Sequence, residues 1–257
     1  MTSLSARSVV ASTLLGTLPP RLPGRLLVAF AEEFGINAGT TRVALSRMVE
    51  RGELRRDAQV YELAGSLLAR QDRQEAGLAP EVVVWDGAWE MHVVRAGGRE
   101  AADRAALRDA AGHLGLAEHR DGVWMRPANL EPSRLPAARA VLAAQADRFV
   151  GRPDGDGAAL AAALFDLDGW AAEARGFCAA MAEASVVLEG DGPVSLADGF
   201  ELAALALRHL VSDPLLPDVL APAGWPAATL RAEYARYDLA YRSRLSAFFR
   251  SRSRVTE

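Results

Sequence analysis

One short stretch of the chain spaces side chains in a way that suits the reading of nucleic acid. Thr40, Arg42, Val43, Ser46 and Arg47 alternate with Thr41, Leu45, Met48 and Val49. On a helix the second set makes an inward apolar stripe, and the first set, with Glu50, projects as a small, polar and basic face. An arginine on such a face can bond guanine O6 and N7 together, which is worth about 1–3 kcal/mol of discrimination. Arg47, opposite Leu45, is best placed for that contact, with a phosphate contact as its equal alternative. Arg42 lies on the flank, where it suits a backbone phosphate that positions without carrying sequence information. Thr40, Val43 and Ser46 have the size for close approach to a groove. Arg25, Arg55 and Arg56 are further phosphate ligands if the preceding helix and the following hairpin lie against the duplex. Arg51 is read as pairing with a carboxylate.

A second set could serve a small ligand. Trp89, Trp124, Trp170 and Trp225 could line a cavity for an aromatic acyl group, with Arg95, Arg126 or Arg208 near phosphates. Burial in the core is the stronger expectation for each tryptophan, because large aromatics mostly bury area. His92 and His209 have no metal-ligand spacing, and Asp86 and Asp166 read better as turn or cap residues than as a catalytic acidic pair. Cys178 is the single cysteine, which excludes an internal disulfide and a cysteine-based zinc cluster within one chain. It reads as a packed thiol. No metal, cofactor or catalytic residue is expected.

The nucleic-acid set needs elements to hold it. From about Pro23, Leu26, Leu27, Phe30 and Phe34 recur at helical spacing, and Gly35 suits a left-handed stop. Asn37 is a good N-cap for a helix running to about Arg51. Two helices joined by Phe34-Gly35-Ile36-Asn37 fit a helix-turn-helix, whose second helix enters the major groove. An earlier helix carries Leu4, Val10, Leu14 and Leu18 and stops at Pro19-Pro20. After Gly52, Leu54-Arg55-Arg56 and Val60-Tyr61-Glu62-Leu63 pair as a hairpin around Asp57-Ala58-Gln59, the wing of a winged helix. Ala64 to Glu75 is a linking helix, and residues 1–76 form one DNA-binding domain.

Beyond Gly77 to Pro80 the signals alternate. Trp89 to Arg95 reads as a strand with Trp89, Met91 and Val93 on one face, and Gly97-Gly98 turns the chain into a helix over Arg99 to His113. Leu116 to Glu118 and Val123 to Met125 are short strands around Asp121-Gly122. Pro136 to Asp147 is a second helix, and Phe149-Val150 begins a last strand. Strand, helix, two strands, helix, strand is the βαββαβ order of a ferredoxin-like domain, assigned to residues 77–157. Residues 158–257 read as a helical domain. Leu160, Leu164, Leu167 and Trp170 suit a helix or a pair broken at Asp168-Gly169, Ala197 to Leu210 is another, and Asp213-Pro214-Leu215-Leu216-Pro217 is an ordered apolar loop. Trp225-Pro226 starts a final helix bearing Leu230, Tyr234, Tyr237 and Tyr241. The fold class is therefore α+β in three segments.

With 257 residues, 50% hydrophobic and 24% charged, the composition is that of a globular protein rather than a disordered or fibrous one. The longest apolar run, Gly157 to Phe165, is well short of the roughly 18 residues a membrane span needs, so a soluble, cytoplasmic chain is expected. Arg7 followed by Val9, Val10, Leu14 and Leu15 is interrupted by Ser12, Thr13 and Gly16, and reads as mature structure rather than a secretory signal. The net charge of -4 argues against wholesale coating of nucleic acid, yet it is unevenly placed. Residues 1–56 hold eight arginines against four glutamates, and residues 239–257 hold five arginines against Glu257. Each end is thus +4, and the middle must carry -12. Every basic residue is an arginine; a GC-rich genome explains that better than a preference for bidentate phosphate contacts. The terminal cluster Arg242, Arg244, Arg250, Arg252 and Arg254 reads first as a solvated tail, then as a second DNA contact or a dimer contact.

Several separated blocks, in order, resemble the PaaX transcriptional repressors of phenylacetate degradation. They are Phe34-Gly35-Ile36 leading to the run from Thr41 to Gly52; Trp85-Asp86-Gly87-Ala88-Trp89; Leu114-Gly115-Leu116 through Gly122 to Pro127; Phe165-Asp166-Leu167-Asp168; and Arg208-His209 with Asp213 to Pro217 and Trp225-Pro226. The resemblance covers nearly the whole chain, and the joint order of the blocks is more specific than any one of them. It implies a winged helix, a central ferredoxin-like domain similar to the small CRISPR-associated nuclease fold, and a C-terminal helical domain. It further implies a homodimeric repressor of operator DNA, released by an acyl-coenzyme A effector such as phenylacetyl-coenzyme A. Carried over, the recognition helix is the segment with Arg42, Ser46 and Arg47. The wing here is shorter and less basic than the family pattern. The rival class is a metal-dependent nuclease that acts through the central fold and is anchored by the winged helix.

Overall fold

The computed structural model describes residues 4–95, 97, 100–190 and 192–254, with the backbone alone at Arg254. Among these lie ten helices and two antiparallel sheets, so the chain is mixed α+β. It divides into two compact units, one from the N-terminus to Asp72 with Ala180–Leu205 and Glu233 onward, the other Arg73–Ala179 with Ala206–Ala232.

The first unit opens with α1 (Ala6–Leu15), β1 (Arg21–Pro23), α2 (Gly24–Glu32), α3 (Ala38–Glu50), β2 (Leu54–Asp57) and β3 (Val60–Leu63). Ser5 caps α1 by accepting from Ser8 N–H at 3.2 Å. Val10, Leu14, Leu26, Leu27, Leu45, Met48, Leu54 and Leu63 form the core that fixes α3 against the sheet. The strands run in the order β1-β3-β2, with Arg21 opposite Glu62 and Leu54 opposite Leu63. β1 is absent from the sequence-based expectation. Three residues ending in proline carry no period-2 signal, and β1 exists because β3 offers it an unpaired edge, where a terminal proline is tolerated.

The same unit takes in parts of α8 (Leu167–Glu189), α9 (Leu196–Val211) and α10 (Ala227–Arg254). Tyr237 donates to the Gly199 carbonyl at 2.9 Å and Tyr241 to the Leu196 carbonyl at 3.0 Å, which holds α10 to α9. Phe30 at the end of α2 is met edge-on by Phe34, Phe200, Phe248 and Phe249 at ring distances of 5.4–6.0 Å. Edge-to-face rings add about 0.5–1.5 kcal/mol per pair beyond the area they bury, so the end of α2 is held in place from the C-terminal helices. The terminal arginines are engaged here too. Arg242 pairs with Asp238 and donates to the Gly16 carbonyl, Arg244 donates to the Leu188 carbonyl, and Arg252 reaches Glu33. The Arg254 side chain and Glu257 lie outside the described residues.

The second unit contains α4's end (α4 is Ser66–Leu78) and the run β4 (Trp89–Val94), α5 (Ala101–His113), β5 (Ala117–Arg120), β6 (Val123–Pro127), α6 (Pro136–Gln145) and β7 (Ala146–Gly151). Its sheet order is β5-β6-β4-β7, all antiparallel. Leu107, Ala111, Leu114 and Leu142 from α5 and α6 pack with Trp124 and Val94 in one core. Trp89 and Met125 belong to another, with Ala161 of α7 (Gly157–Leu164), Leu167, Leu216 and Leu220. Arg99 and Gly98, assigned to a helix start and its turn, lie outside the described residues.

Two boundaries differ from the expectation. α6 ends at Gln145 and β7 begins at once, with Ala146 extended at φ -139 and ψ 152, where a helix through Asp147 was expected. Ala-Asp-Arg carries no stop signal; pairing with β4 overrides local propensity, helped by Arg95, which donates to the carbonyls of Ala143 and Ala144. The break before α8 falls at Phe165-Asp166 rather than at Asp168-Gly169, because Asp166 Oδ1 accepts from Gly169 N–H at 3.0 Å and starts the helix.

Arg126 is the organising polar residue of this unit. Fully buried, its guanidinium donates to the carbonyls of Leu114, Pro127 and Pro214 and to Asn129 Oδ1, while Glu90 stands 3.8 Å away. Asn129 donates to the Leu215 carbonyl, and Arg231 clamps Asp213 at 2.8 Å, so the Asp213 to Pro217 loop is ordered by charge as well as by its leucines. Burial pushes the Glu90 carboxyl up, but neighbouring His92, the Arg148 hydrogen bond and the Arg126 charge outweigh it and hold it at about 2. A carboxyl with a lowered native pKa contributes stability that is whole above its unfolded value near 4.5 and is lost as pH falls towards 2. The urea midpoint of the protein should therefore fall more steeply than that of Glu90→Gln over this window; parallel slopes would show that Glu90 is not held down.

Candidate nucleic-acid interface

α3 is delivered by a turn whose conformation follows from its residues. Gly35 sits at φ +70, which glycine adopts without cost, and Ile36 N–H returns to the Ala31 carbonyl at 3.2 Å. Asn37 Oδ1 then accepts from Thr40 N–H at 2.9 Å and caps the new helix. Thr41, Leu45 and Met48 are buried, and Thr40, Arg42, Val43, Ser46, Arg47 and Glu50 are exposed, so the two faces expected from spacing are the two faces found.

A concave groove runs along each side of the exposed face. One is lined by Arg25 from α2, Arg42 and Ser46 from α3, and Arg56, Gln59 and Tyr61 from the β2–β3 hairpin. The other is lined by Thr40, Val43, Arg47 and Arg51 with Ser5 and Arg7 from the start of α1. Gly24 lets the first groove form, since a Cβ there would stand 2.7 Å from the Tyr61 ring.

Seven of the eight expected DNA residues line one groove or the other and Arg55 lines neither, and not all are equally free. Arg25, Arg42 and Arg47 are exposed and have no bonded or charged partner among the described residues. Arg55 is spent on Glu62 at 2.8 Å; Arg56 donates to the Ala58 carbonyl at 2.8 Å and lies 5.7 Å over the Tyr61 ring. The carboxylate near Arg51 is Glu53, but Arg7 takes it through three bonds, Nε to Oε2 at 2.9 Å and to Oε1 at 3.2 Å, and Nη2 to Oε1 at 2.8 Å. Sequence reasoning passed over Arg7, Gln59 and Tyr61. Arg7 meets its partner 46 positions away, a distance no local pattern reveals.

The small-ligand set does not converge as a whole. Trp170 stacks on His209 at 4.5 Å and on Trp225 at 4.6 Å, and Trp225 packs on the cluster that holds Trp89. Trp124 packs in the other core, against α5 and α6. Arg126 is buried in its network and Arg95 pairs with Asp147 at 2.9 Å, which leaves Arg208 exposed and unengaged among the described residues. His209 bonds the Trp170 carbonyl at 2.9 Å and lies 3.1 Å from Glu173; buried His92 stands 3.7 Å from Glu90, and neither of its ring nitrogens has a hydrogen-bond partner among the described residues. Asp86 accepts from Ala88 N–H, and Asp166 caps α8, so each carboxylate is occupied in a turn. No group of three or more His, Cys, Asp or Glu side chains among the described residues is placed to hold a metal, and no helix is long and apolar enough to cross a membrane.

These features define a mixed α+β protein with an exposed helix between two arginine-bearing grooves. Residues 5–67 match the family described as PaaX-like protein, and residues 83–161 match the PaaX protein central Cas2-like domain. The chain belongs to the PaaX family, and membership supports transcription regulation and DNA binding as its class of activity. No curated protein matches it. Among solved structures it is similar to the uncharacterized protein Rv0674 from Mycobacterium tuberculosis, 40% identical with a TM-score of 0.70, over 95% of this chain and 99% of that one.

Proposed function

We propose that the chain is a cytoplasmic, homodimeric repressor that binds a specific operator in double-stranded DNA and controls an aromatic-acid, phenylacetate-type catabolic operon. The observation that carries this reading is the exposed face of α3, flanked by Arg25, Arg42 and Arg47 with no partner of their own among the described residues. Three helices and a β1-β3-β2 sheet support a winged helix-turn-helix, proposed over residues 1–76. The sheet order β5-β6-β4-β7 suits a ferredoxin-like domain over 77–157, with a helical domain over 158–257. Arg25, Arg42 and Arg56 serve phosphates, and Arg55 does so on exchanging Glu62 for one; Arg47 serves a guanine or a phosphate, and Thr40, Val43 and Ser46 approach the base edges.

The effector is an acyl-coenzyme A such as phenylacetyl-coenzyme A. Trp89, Trp170 and Trp225 are the better-supported part of its site, and Arg208 is the arginine left for its phosphates. An effector that prefers the conformation unable to span two half-sites lowers operator affinity by the ratio of its affinities for the two states. With Asp86 and Asp166 both engaged in turns, nothing favours a nuclease reading.

A preformed complex with labelled DNA from the protein's own upstream region tests this reading. Phenylacetyl-coenzyme A should release the DNA, and free coenzyme A should not. A specific complex that ignores every aromatic acyl thioester would remove the inducer from the account, and progressive cleavage of the DNA would replace the repressor with an enzyme.

A further inference from the structure

The exposed face of α3 has an apolar centre. At about 100° per residue, Val43 falls within about 20° of the direction opposite the buried stripe of Thr41, Leu45 and Met48. It is 51% exposed, and no other large hydrophobic residue on α3 is comparably exposed. Its neighbours one turn away are Gly39, Thr40, Ser46 and Arg47; the first three are small, and Arg47 lines the same groove as Val43. Arg42 enters the groove on one side of the helix, and Arg47 lies beside Val43 in the groove on the other. Cations on both sides fit the two phosphate strands that border a major groove, which leaves the central position for the base edges.

In that groove the chemistry that meets an isopropyl group is narrow. Base edges present hydrogen-bond donors and acceptors, which Val43 cannot pair, and one apolar feature, the C5-methyl group of thymine. Resting on the DNA-binding function proposed above, we propose that Val43 is a specificity-determining residue that reads a thymine C5-methyl group in the major groove. It discriminates by burial, without a hydrogen bond, between flanking arginines that supply affinity.

Replacing thymine by deoxyuridine removes that methyl and leaves the hydrogen-bonding edges intact. Duplexes selected by the full-length protein from a randomised pool supply its preferred sequence, in which each thymine is then exchanged singly, symmetrically where the sequence repeats. At one position the exchange should weaken binding about fourfold per contact, the worth of one buried methyl. The same exchange should leave the affinity of Val43→Ala nearly unchanged. A wild-type protein that tolerates uracil at every position overturns the proposal while leaving a sequence-specific DNA binder. An equal uracil penalty in wild type and Val43→Ala overturns it as well, since another residue then reads the methyl. If selection enriches no sequence, the DNA-binding reading falls first and this inference falls with it.

Discussion

Arg126→Leu is expected to destabilise the protein by about 3–5 kcal/mol, the usual cost of removing one partner from a buried, hydrogen-bonded charge network. The deletion strips donors from the carbonyls of Leu114, Pro127, Pro214 and Leu215 and from Asn129, and leaves the buried Glu90 carboxylate facing one guanidinium fewer. Because the Pro214 carbonyl is among the lost partners, the Asp213 to Pro217 loop should loosen along with the β6 end of the sheet. Urea unfolding, followed by tryptophan fluorescence, measures the loss. Glu90 keeps Arg148 at 2.8 Å, so adding Glu90→Gln to Arg126→Leu should recover little of it. A loss below about 1 kcal/mol, the scale of an ordinary surface change, would mean that the network is not what holds the loop.

The triple change Arg25→Ala, Arg42→Ala, Arg47→Ala should nearly abolish DNA binding with little effect on stability. These side chains are exposed and unpartnered, so their removal strands no buried group, and surface changes of this kind stay within about 0.5 kcal/mol. Each phosphate contact contributes about 0.9 to the slope of log affinity against log salt, so losing two contacts per protomer, or three if Arg47 also meets a phosphate, should flatten the slope by about 1.8–2.7 for each protomer bound. The single changes separate the roles. Arg25→Ala and Arg42→Ala should weaken all duplexes alike, whereas Arg47→Ala should also relax preference at one base pair if it bonds guanine. An unchanged slope in the triple variant would place the duplex elsewhere on the protein.

Much of α3 and its exposed face was legible in the sequence because both are built from local signals. The spacing of Thr41, Leu45 and Met48 set the faces of α3, Gly35 set the turn before it, and Asn37 set the cap. What was illegible depends on residues far apart in the chain. Arg7 meets Glu53, and Phe30 meets Phe248 and Phe249, without any periodicity to announce either contact. Arg126 was read as a ligand arginine for the same reason, since its carbonyl partners at Leu114 and Pro214 lie far off along the chain or well outside its own strand. The start of β7 was misplaced because Ala146 takes its extended form from pairing with β4 rather than from its own propensity. The tryptophans show the same limit, for their types predicted burial but not that Trp124 packs in a different core from Trp89.

The most direct test of the central claim is fluorescence anisotropy of the full-length protein on labelled duplex from its own upstream region and on a scrambled duplex of the same composition, across a salt series. A sequence-specific regulator should prefer the upstream duplex by about 1,000-fold or more. Its affinity should fall steeply with salt, and that slope should flatten when Arg42 and Arg47 are replaced by alanine. Equal affinity for both duplexes, or a slope indifferent to those two arginines, would contradict the account.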